Sequence, residues 1–245
     1  GGATSASRQT FVTGTAAQRA AKQAKVVLKK VASELLSIEP EEVVFKDGIV
    51  SSITDDKNKI TYKELMKNLV LRGEISVGAG TYNPVTVPID PKTNKGEPYE
   101  VYSYATAIAE VEVNIETGII TLINAVSAHD VGTAINPTMA EGQIEGGVVM
   151  GQGFALMEEV EISEGLIKNL NYSKYLIPTS ADVPNIYPLI IETESKKGPY
   201  GAKGIGEPAL IPIIPAIADA VEDAIGVKFN KLPITPMDVL AALKK

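Results

Sequence analysis

The chain has 245 residues, of which 44% are hydrophobic and 22% charged, and its formal net charge is −7 at pH 7. This length allows one large domain or two modest ones, and this composition excludes a wholly disordered or collagen-like chain. The acidic excess argues against nucleic acid as the main partner, because phosphate neutralisation requires clustered Lys and Arg. No apolar stretch approaches the roughly 18 residues of a membrane-spanning helix. No signal peptide is evident either, so we expect a cytoplasmic protein without a membrane partner.

The sequence contains no Cys and a single His, His129. The absence of Cys excludes disulfides, thiolate zinc sites, Cys-ligated iron–sulfur clusters and a Cys nucleophile within these residues. A lone His excludes multi-His metal sites and makes a Ser-His catalytic triad a poor candidate. We therefore predict no metal held by protein side chains, and we expect His129 to be a structural hydrogen-bonding residue.

The first predicted helix runs from a capping box to about Leu36. Its start is indicated by Thr15 and Gln18, which have capping-box spacing. The chain opens at Gly1 rather than at a methionine, and we interpret it as part of a longer polypeptide or as a processed product.

A hairpin and a second helix are expected next. Residues 43–50 are typical of two short strands around Asp47-Gly48, a common hairpin turn. Thr61 and Glu64 form a further capping box and predict a helix to about Leu71.

The middle of the chain predicts a loop, two strands and a long helix. Residues 83–99 are rich in Pro, Lys, Asn and Gly, which is typical of a surface loop. Residues 105–113 alternate in polarity, residues 119–126 continue as a second strand, and Thr117-Gly118 joins the two. A helix is expected from Pro137 to about Glu158. It contains five glycines, each costing about 1 kcal/mol relative to Ala, which indicates that something packs close to its backbone.

Two further helices complete the expected elements. One is opened by Pro215 and ends near Gly226, and a short final helix is capped by Thr235. Helices and hairpins alternate without a regular βαβ rhythm, so we predict an α+β fold.

Three segments carry candidate chemistry. The first, Ala6-Ser7-Arg8-Gln9-Thr10, precedes a helix, and its small and hydroxyl residues suit an anionic ligand. The alternative is a flexible or capping N-terminal stretch.

The second segment runs from His129 into the glycine-rich helix, where Gln143 would face a ligand that the small residues admit. The alternative is that Asp130 and Asn136 satisfy turn backbone groups and that the glycines serve helix packing.

The third segment centres on Glu207, between Gly206 and Pro208. Pro208 disfavours helical geometry at the preceding residue, so we expect Glu207 on a stiff, extended turn. Its flanks are glycine and aliphatic residues, and desolvation there would raise the pKa of the carboxyl group towards the range of a general base. The alternative is a surface or capping glutamate.

These segments resemble, in order, the C-terminal part of the molybdopterin-binding subunit of the xanthine dehydrogenase and aldehyde oxidase family, the molybdenum hydroxylases. We therefore interpret residues 1–245 as its C-terminal molybdenum-cofactor-binding domain, either a fragment or a split subunit. The resemblance rests on the following blocks: Ser7 to Gly14, Asp130 to Gly132, Asn136-Pro137, Gly142 to Gly146, Lys203 to Leu210, Pro215 to Ile217 and Leu232 to Pro236.

The resemblance implies an oxidoreductase that hydroxylates a carbon next to nitrogen or oxygen with water-derived oxygen. The cofactor implied by the resemblance is a molybdenum ion held by the sulfurs of a pyranopterin, which in the family is often extended as a cytosine dinucleotide. By the same resemblance Glu207 is the general base. The cofactor-binding residues would be Ala6, Ser7, Arg8, Gln9, Thr10 and Gln143.

The family subunit is much longer than this chain, and its upstream half carries a further cofactor loop and most substrate-selecting residues. We therefore expect three partners, namely the remaining molybdopterin-binding half, a FAD subunit and a [2Fe–2S] subunit. The small-molecule substrate stays open between a purine, another N-heterocycle and an aldehyde. Two alternatives are a non-catalytic structural or assembly subunit that keeps the fold, and a cofactor-free hydrolase built on Glu207. The hydrolase would need a nucleophile or metal that the sequence does not show.

Overall fold

In the computed structural model, residues 3–244 are described, and Gly1, Gly2 and Lys245 lie outside the described residues. The chain divides into a smaller unit, residues 12–85, and a larger one formed by residues 3–11 and 86–244. None of the helices within residues 3–244 combines the length and apolarity that crossing a bilayer requires.

The smaller unit packs two helices on a three-stranded antiparallel sheet. Helix α1 spans Gly14–Leu36 and helix α2 spans Tyr62–Leu71. The strands, in sheet order, are β1 (Val43–Lys46), β2 (Ile49–Ser52) and β3 (Lys59–Thr61). The core is formed by buried apolar residues of both helices and of β1 and β2, namely Val31, Ala32, Leu36, Val43, Val50, Leu65 and Leu69.

The predicted hairpin and second capping box are confirmed. Asp47 and Gly48 both have positive φ angles, +48° and +77°, as a tight two-residue turn requires. The Thr61 Oγ1 accepts a hydrogen bond from the Glu64 N–H, and the Glu64 carboxylate accepts one from the Thr61 N–H. The predicted start of α1 is wrong. A π-helical turn, Gln9–Thr13, leads directly into α1, so the helix has already begun before Thr15. Thr15 is a buried residue inside the helix and not its cap.

The larger unit is built on a mixed sheet with strand order β4-β5-β8. Strands β4 (Ala105–Val113) and β5 (Ile120–Asp130) are antiparallel, and β8 (Asn185–Ile191) pairs parallel to β5. The short strands β6 (Ile162–Ser163) and β7 (Leu166–Ile167) form a separate hairpin.

Helices α3 (Pro137–Leu156) and α4 (Ile213–Ile225) cover one face of this sheet, and α5 (Pro236–Leu243) is the last helix of the described chain. The core between the sheet and these helices includes Leu122, Ala125, Val148, Ala155, Ile213 and Ile217. Helices and a partly antiparallel sheet agree with the α+β expectation. The β5–α3–β8 crossover adds one parallel pair that the sequence did not predict.

The predicted bounds of α2 and β4 are confirmed, whereas several others shift by a few residues. Strand β5 continues to Asp130, four residues beyond its expected end, so His129 and Asp130 lie in the sheet rather than in a turn. Helix α4 begins at Ile213, and Pro215 is its third residue. Proline is tolerated in a first helical turn, where its missing N–H has no partner to lose.

The five glycines of α3 divide into two groups. A Cβ placed on Gly147 would lie 2.4 Å from the Cβ of Ala209, and one on Gly151 would lie 2.3 Å from a methyl of Ile213. Gly153 is similarly close to Glu158. These three glycines therefore permit packing inside the chain. Gly142 and Gly146 have open space where a side chain would stand.

Candidate functional site

The Glu207 loop, residues 203–207, is anchored at its start by a buried ion pair. The Lys203 Nζ lies 2.5 Å from the Asp130 Oδ2, and both side chains are less than one tenth exposed. The Lys203 N–H also donates to the Val131 carbonyl at 2.9 Å. These contacts fix the loop against the end of β5.

Asp130 stays ionised in this buried position. Burial raises the pKa of Asp130, but hydrogen bonds from Lys203, Thr193 and the Gly132 N–H outweigh it and hold the pKa below its ordinary value. The Gly132 contact confirms that Asp130 satisfies a turn backbone group, whereas its partner Lys203 was not predicted. A signal was available in the sequence, because each is a lone charge in an otherwise apolar or glycine-rich segment.

The N-terminal segment meets the far end of the Glu207 loop. The Ala6 N–H donates to the Glu207 Oε1 at 2.9 Å, and the Glu207 N–H donates to the Ser7 Oγ at 2.7 Å. A Cβ on Gly204 would lie 2.2 Å from the Ser7 carbonyl oxygen, so the two backbones touch. The predicted general base and two predicted cofactor residues are thus brought together.

Ala6 and Ser7 adopt an unusual backbone conformation. Both have φ of +53°, in the left-handed region that non-glycine residues rarely enter. This conformation costs about 1–2 kcal/mol per residue, and such strain persists only where surrounding contacts over-determine it. Here the two hydrogen bonds to Glu207 and the close approach of Gly204 supply those contacts.

Gln143 and Thr10 border a cavity beside the same loop. The cavity has a volume of about 250 Å³. A Cβ on Gly206 would lie 3.6 Å from the Ser7 Oγ and 3.8 Å from the Gln143 Oε1, so Gln143 faces the loop across a bare stretch of backbone. The remaining walls come from the end of β5, the start of α3 and the loop itself, namely Val131, Thr133 to Asn136, Met139, Ala140, Ala202, Lys203 and Ile205.

Arg8 and Gln9 are placed beside the site through their own segment. The Gln9 side-chain amide donates to the Thr4 Oγ1 at 2.5 Å, and the Arg8 N–H donates to the Ser5 carbonyl at 3.4 Å. Ala6, Ser7, Thr10, Gln143 and the Glu207 loop therefore form the candidate site, whereas Arg8 and Gln9 flank it.

The expected geometry at Glu207 is wrong in two respects. Its backbone angles are φ −79° and ψ −36°, which are helical rather than extended, because Glu207 caps a 3₁₀ turn over Pro208–Leu210. Proline at the first position of such a turn is compatible with its missing N–H. The Glu207 side chain is also exposed, so the described residues do not supply the desolvation expected from the aliphatic flanks.

The structural role expected of His129 is confirmed, and Asn136 has the capping role that was the alternative to ligand binding. His129 is 1% exposed, and its Nε2 lies 2.8 Å from the Ser127 Oγ. Burial lowers the pKa of His129. The Asn136 Oδ1 accepts a hydrogen bond from the Met139 N–H and caps α3.

Among residues 3–244 no group of three or more Asp, Glu, His or Cys side chains is arranged to hold a metal ion.

The chain is similar in sequence to known cofactor-binding proteins. The sequence model of one protein family, the molybdopterin cofactor-binding domain, matches residues 1–184. This match ends before the Glu207 loop. A probable xanthine dehydrogenase subunit of Bacillus subtilis is 36% identical over 100% of this chain and 32% of its own length. The nicotine 6-hydroxylase large subunit of Paenarthrobacter nicotinovorans is 30% identical over 100% of this chain and 30% of its own length.

Solved structures give the same result. Quinoline 2-oxidoreductase from Pseudomonas putida 86 superposes with a TM-score of 0.83 at 27% identity, covering 98% of this chain and 30% of that one. Aldehyde oxidoreductase from Desulfovibrio gigas superposes with a TM-score of 0.78 at 28% identity, covering 100% of this chain and 24% of that one. The chain spans about a third of the length of the curated relatives that it matches over its whole length.

The fold and the matches define a cofactor-binding part of an oxidoreductase. The chain belongs to the molybdopterin cofactor-binding domain family, within the xanthine dehydrogenase and aldehyde oxidoreductase group of molybdenum hydroxylases. The resemblance seen in the sequence motifs is thereby confirmed at the level of the family.

Proposed function

We propose that this chain is one wall of the active site of a molybdenum hydroxylase and that Glu207 is its general base. The observation that carries the proposal is the convergence of Ala6, Ser7, Gln143 and Glu207 on one site, although they lie up to 201 positions apart. The substrate class is a small N-heterocycle or an aldehyde. The names of the relatives, which include a xanthine dehydrogenase, a nicotine hydroxylase, a quinoline oxidoreductase and an aldehyde oxidoreductase, support this range.

The residues around the cavity fit a pterin. Gln143 offers a carboxamide, Thr10 offers a hydroxyl, and Gly206 leaves backbone uncovered, so a polar heterocycle can approach and find hydrogen-bonding partners. We propose the cytosine dinucleotide extension as one form of this cofactor. When bound, the cofactor supplies the redox centre that accepts two electrons from the substrate carbon.

Within this chain, Glu207 performs the proton transfer. Its Oε1 is held by the Ala6 N–H, which orients the carboxylate and leaves Oε2 to accept the proton of the water-derived oxygen that is added to the substrate. The hydrogen bond from the Glu207 N–H to Ser7 fixes the backbone beneath it. Gln143 orients the cofactor rather than taking part in the proton transfer.

The rest of the site and the electron acceptors belong to partners in this proposal. They are the remaining molybdopterin-binding half, a FAD subunit and a [2Fe–2S] subunit. The relatives' names support an assembly of several chains, since one belongs to a dehydrogenase complex and another is called a large subunit.

A second function is favoured by one observation. Glu207 is exposed and bonds to the backbone of Ala6 and to the side chain of Ser7, which is also what a purely structural capping glutamate does. The corresponding alternative is a non-catalytic assembly subunit that keeps the fold.

Replacement of Glu207 by Gln separates the two functions. Gln preserves shape and can still accept from Ala6, but it cannot take up a proton. In the assembled enzyme we expect Glu207→Gln to lower turnover by about 10²–10⁴-fold. Molybdenum content and thermal midpoint should stay unchanged. Glu116→Gln, at an exposed glutamate between β4 and β5, is the matched control and should keep wild-type turnover. Full turnover in Glu207→Gln would remove Glu207 from the mechanism, and a loss of stability would assign it the structural role.

A further inference from the structure

The face of the β4-β5-β8 sheet opposite α3 and α4 is apolar and is left uncovered by the described residues. We call it the open sheet face. On β4, Ile108 is 67% exposed, and on β8 Tyr187, Leu189 and Ile191 are 52%, 47% and 45% exposed. Contiguous exposed apolar surface of this kind marks an interaction site, whereas single exposed apolar residues need no explanation.

Strand register makes these side chains neighbours. Val126 of β5 pairs with Ile108 on one side and with Tyr187 on the other, so the three form a continuous row across the sheet. The next row along is Thr106, Ala128 and Leu189, paired in the same way. These two rows form the apolar centre of the open sheet face.

A polar row closes one end of this face. Asn124 donates to the Glu110 Oε2 at 2.5 Å and accepts from the Asn185 Nδ2 at 3.1 Å. One oxygen of the Glu110 carboxylate thus has a hydrogen-bond donor within the sheet. The two central rows carry no charged side chain, so their occupant needs apolar complementarity.

The sequence of β8 also points to burial on both faces. After Asn185 at its start, β8 continues over residues 186–191 as Ile-Tyr-Pro-Leu-Ile-Ile, without a charged or amide side chain. Near-continuous apolar runs are typical of strands with parallel pairing that are covered on both sides, and β8 pairs parallel to β5. Helices α3 and α4 cover only one of these sides.

We propose that the open sheet face packs against the remaining part of the molybdenum-binding subunit. The relatives carry that part, since this chain spans only 32% of the Bacillus subtilis protein and 30% of the quinoline 2-oxidoreductase chain. Pro188 lies within β8, and proline is found on edge strands because it cannot donate to a ladder. A contact at β8 is therefore made face to face by side chains rather than by adding a strand beside β8. The inference rests on the proposed function in that it assigns the place of the missing half.

A single thiol introduced into this Cys-free chain reports whether the face is covered. In the assembled enzyme, Ile108→Cys and Leu189→Cys are each treated with a maleimide, and modification is followed by mass spectrometry of the peptide concerned. Val70→Cys is the control, because Val70 is 72% exposed and belongs to α2 of the smaller unit. We expect both sheet thiols to react at least about tenfold more slowly than the control, since a packed thiol reacts only in open states. Equal rates would overturn the proposal.

A photo-crosslinking amino acid in place of Tyr187 identifies the occupant. Crosslinks to polypeptide of the molybdenum-binding subunit outside these 245 residues support the inference. Crosslinks to a second copy of this chain, to residues 12–85 or to lipid overturn it. Molybdenum content and turnover of the same preparations keep the two proposals apart. Protected thiols without molybdenum would refute the proposed function alone, and freely reacting thiols in a fully active enzyme would refute the docking face alone.

Discussion

Replacing Gly147 by Ala should force the turn that follows Glu207 away from α3. A Cβ on Gly147 would lie 2.4 Å from the Cβ and 2.7 Å from the carbonyl carbon of Ala209. Carbon atoms in contact are about 3.5–4.0 Å apart, so the turn must retreat by about 1 Å. Overpacking of this kind costs about 1–3 kcal/mol. The gain in helix propensity from Gly to Ala, about 1 kcal/mol, acts in the opposite direction.

Gly146 provides the matched control, because it is the neighbouring residue of the same helix and has nothing within 4 Å of its Cβ position. Gly146→Ala gains the same helix propensity, but its Cβ contacts no other residue. The two variants should therefore differ in unfolding free energy by the overpacking cost alone, about 1–3 kcal/mol. For a chain of this size that corresponds to a difference of about 2–12 °C in thermal midpoint.

Differential scanning calorimetry of the two variants measures this difference. In the assembled enzyme Gly147→Ala should also lower turnover, up to about 100-fold, if Glu207 is the base proposed above, because a shift of about 1 Å in a catalytic group disturbs near-attack geometry. If Gly147→Ala were as stable as Gly146→Ala, the close approach of the helix and the 208–210 turn would be incorrect.

Three further outcomes test the site and its supports. Gln143→Ala should weaken cofactor binding by about 1–3 kcal/mol, which is measured as a lower molybdenum occupancy. Glu141→Ala, on the opposite side of α3, should leave the occupancy unchanged. Equal occupancy in the two variants would indicate that Gln143 serves only helix packing. Asp130→Asn leaves Lys203 buried without its partner and should cost about 3–5 kcal/mol in urea unfolding at neutral pH. Because the pKa of Asp130 is lowered by folding, this loss should shrink as the pH falls below about 4, and a loss that did not change with pH would contradict the ion pair. Burial lowers the pKa of His129, so at acidic pH the unfolded chain binds a proton that the folded chain does not. The free energy of unfolding of the wild type should therefore decrease as the pH is lowered through about 6.5. His129→Gln should flatten that dependence, and an unchanged pH profile would exclude His129 as its source.

Local signals in the sequence predicted local structure well. The Asp47-Gly48 turn and the capping boxes at Thr61 and Thr235 are confirmed because each depends only on residues a few positions apart. The start of α1 was predicted wrongly because local spacing alone does not show whether the residues before it are helical. Thr15 has the right spacing for a cap, but the preceding residues form a π-helical turn that continues into the helix.

Long-range contacts were beyond sequence reasoning. The parallel pairing of β5 with β8 brings Ala125 opposite Ile186, and no local pattern encodes that register. Lys203 and Asp130 are each recognisable in the sequence as a lone charge in an uncharged segment, but no local pattern pairs them, because they lie 73 positions apart. At Glu207 the rule against helical geometry before proline was overridden by a 3₁₀ turn with proline at its first position. The residues of the site could be chosen by resemblance, but their spacing in three dimensions could not.

The position of the Ala6–Glu207 hydrogen bond has a consequence for how the protein folds. It joins residues 201 positions apart, almost the full length of the chain. Closing a loop costs entropy that grows with its length, and contacts of high sequence separation form slowly. A chain emerging from the ribosome can form the β4–β5 hairpin and α3 long before residue 207 is available. The candidate site is therefore completed only after those earlier elements, once residue 207 has been synthesised and the loop that carries it has folded back onto Ala6.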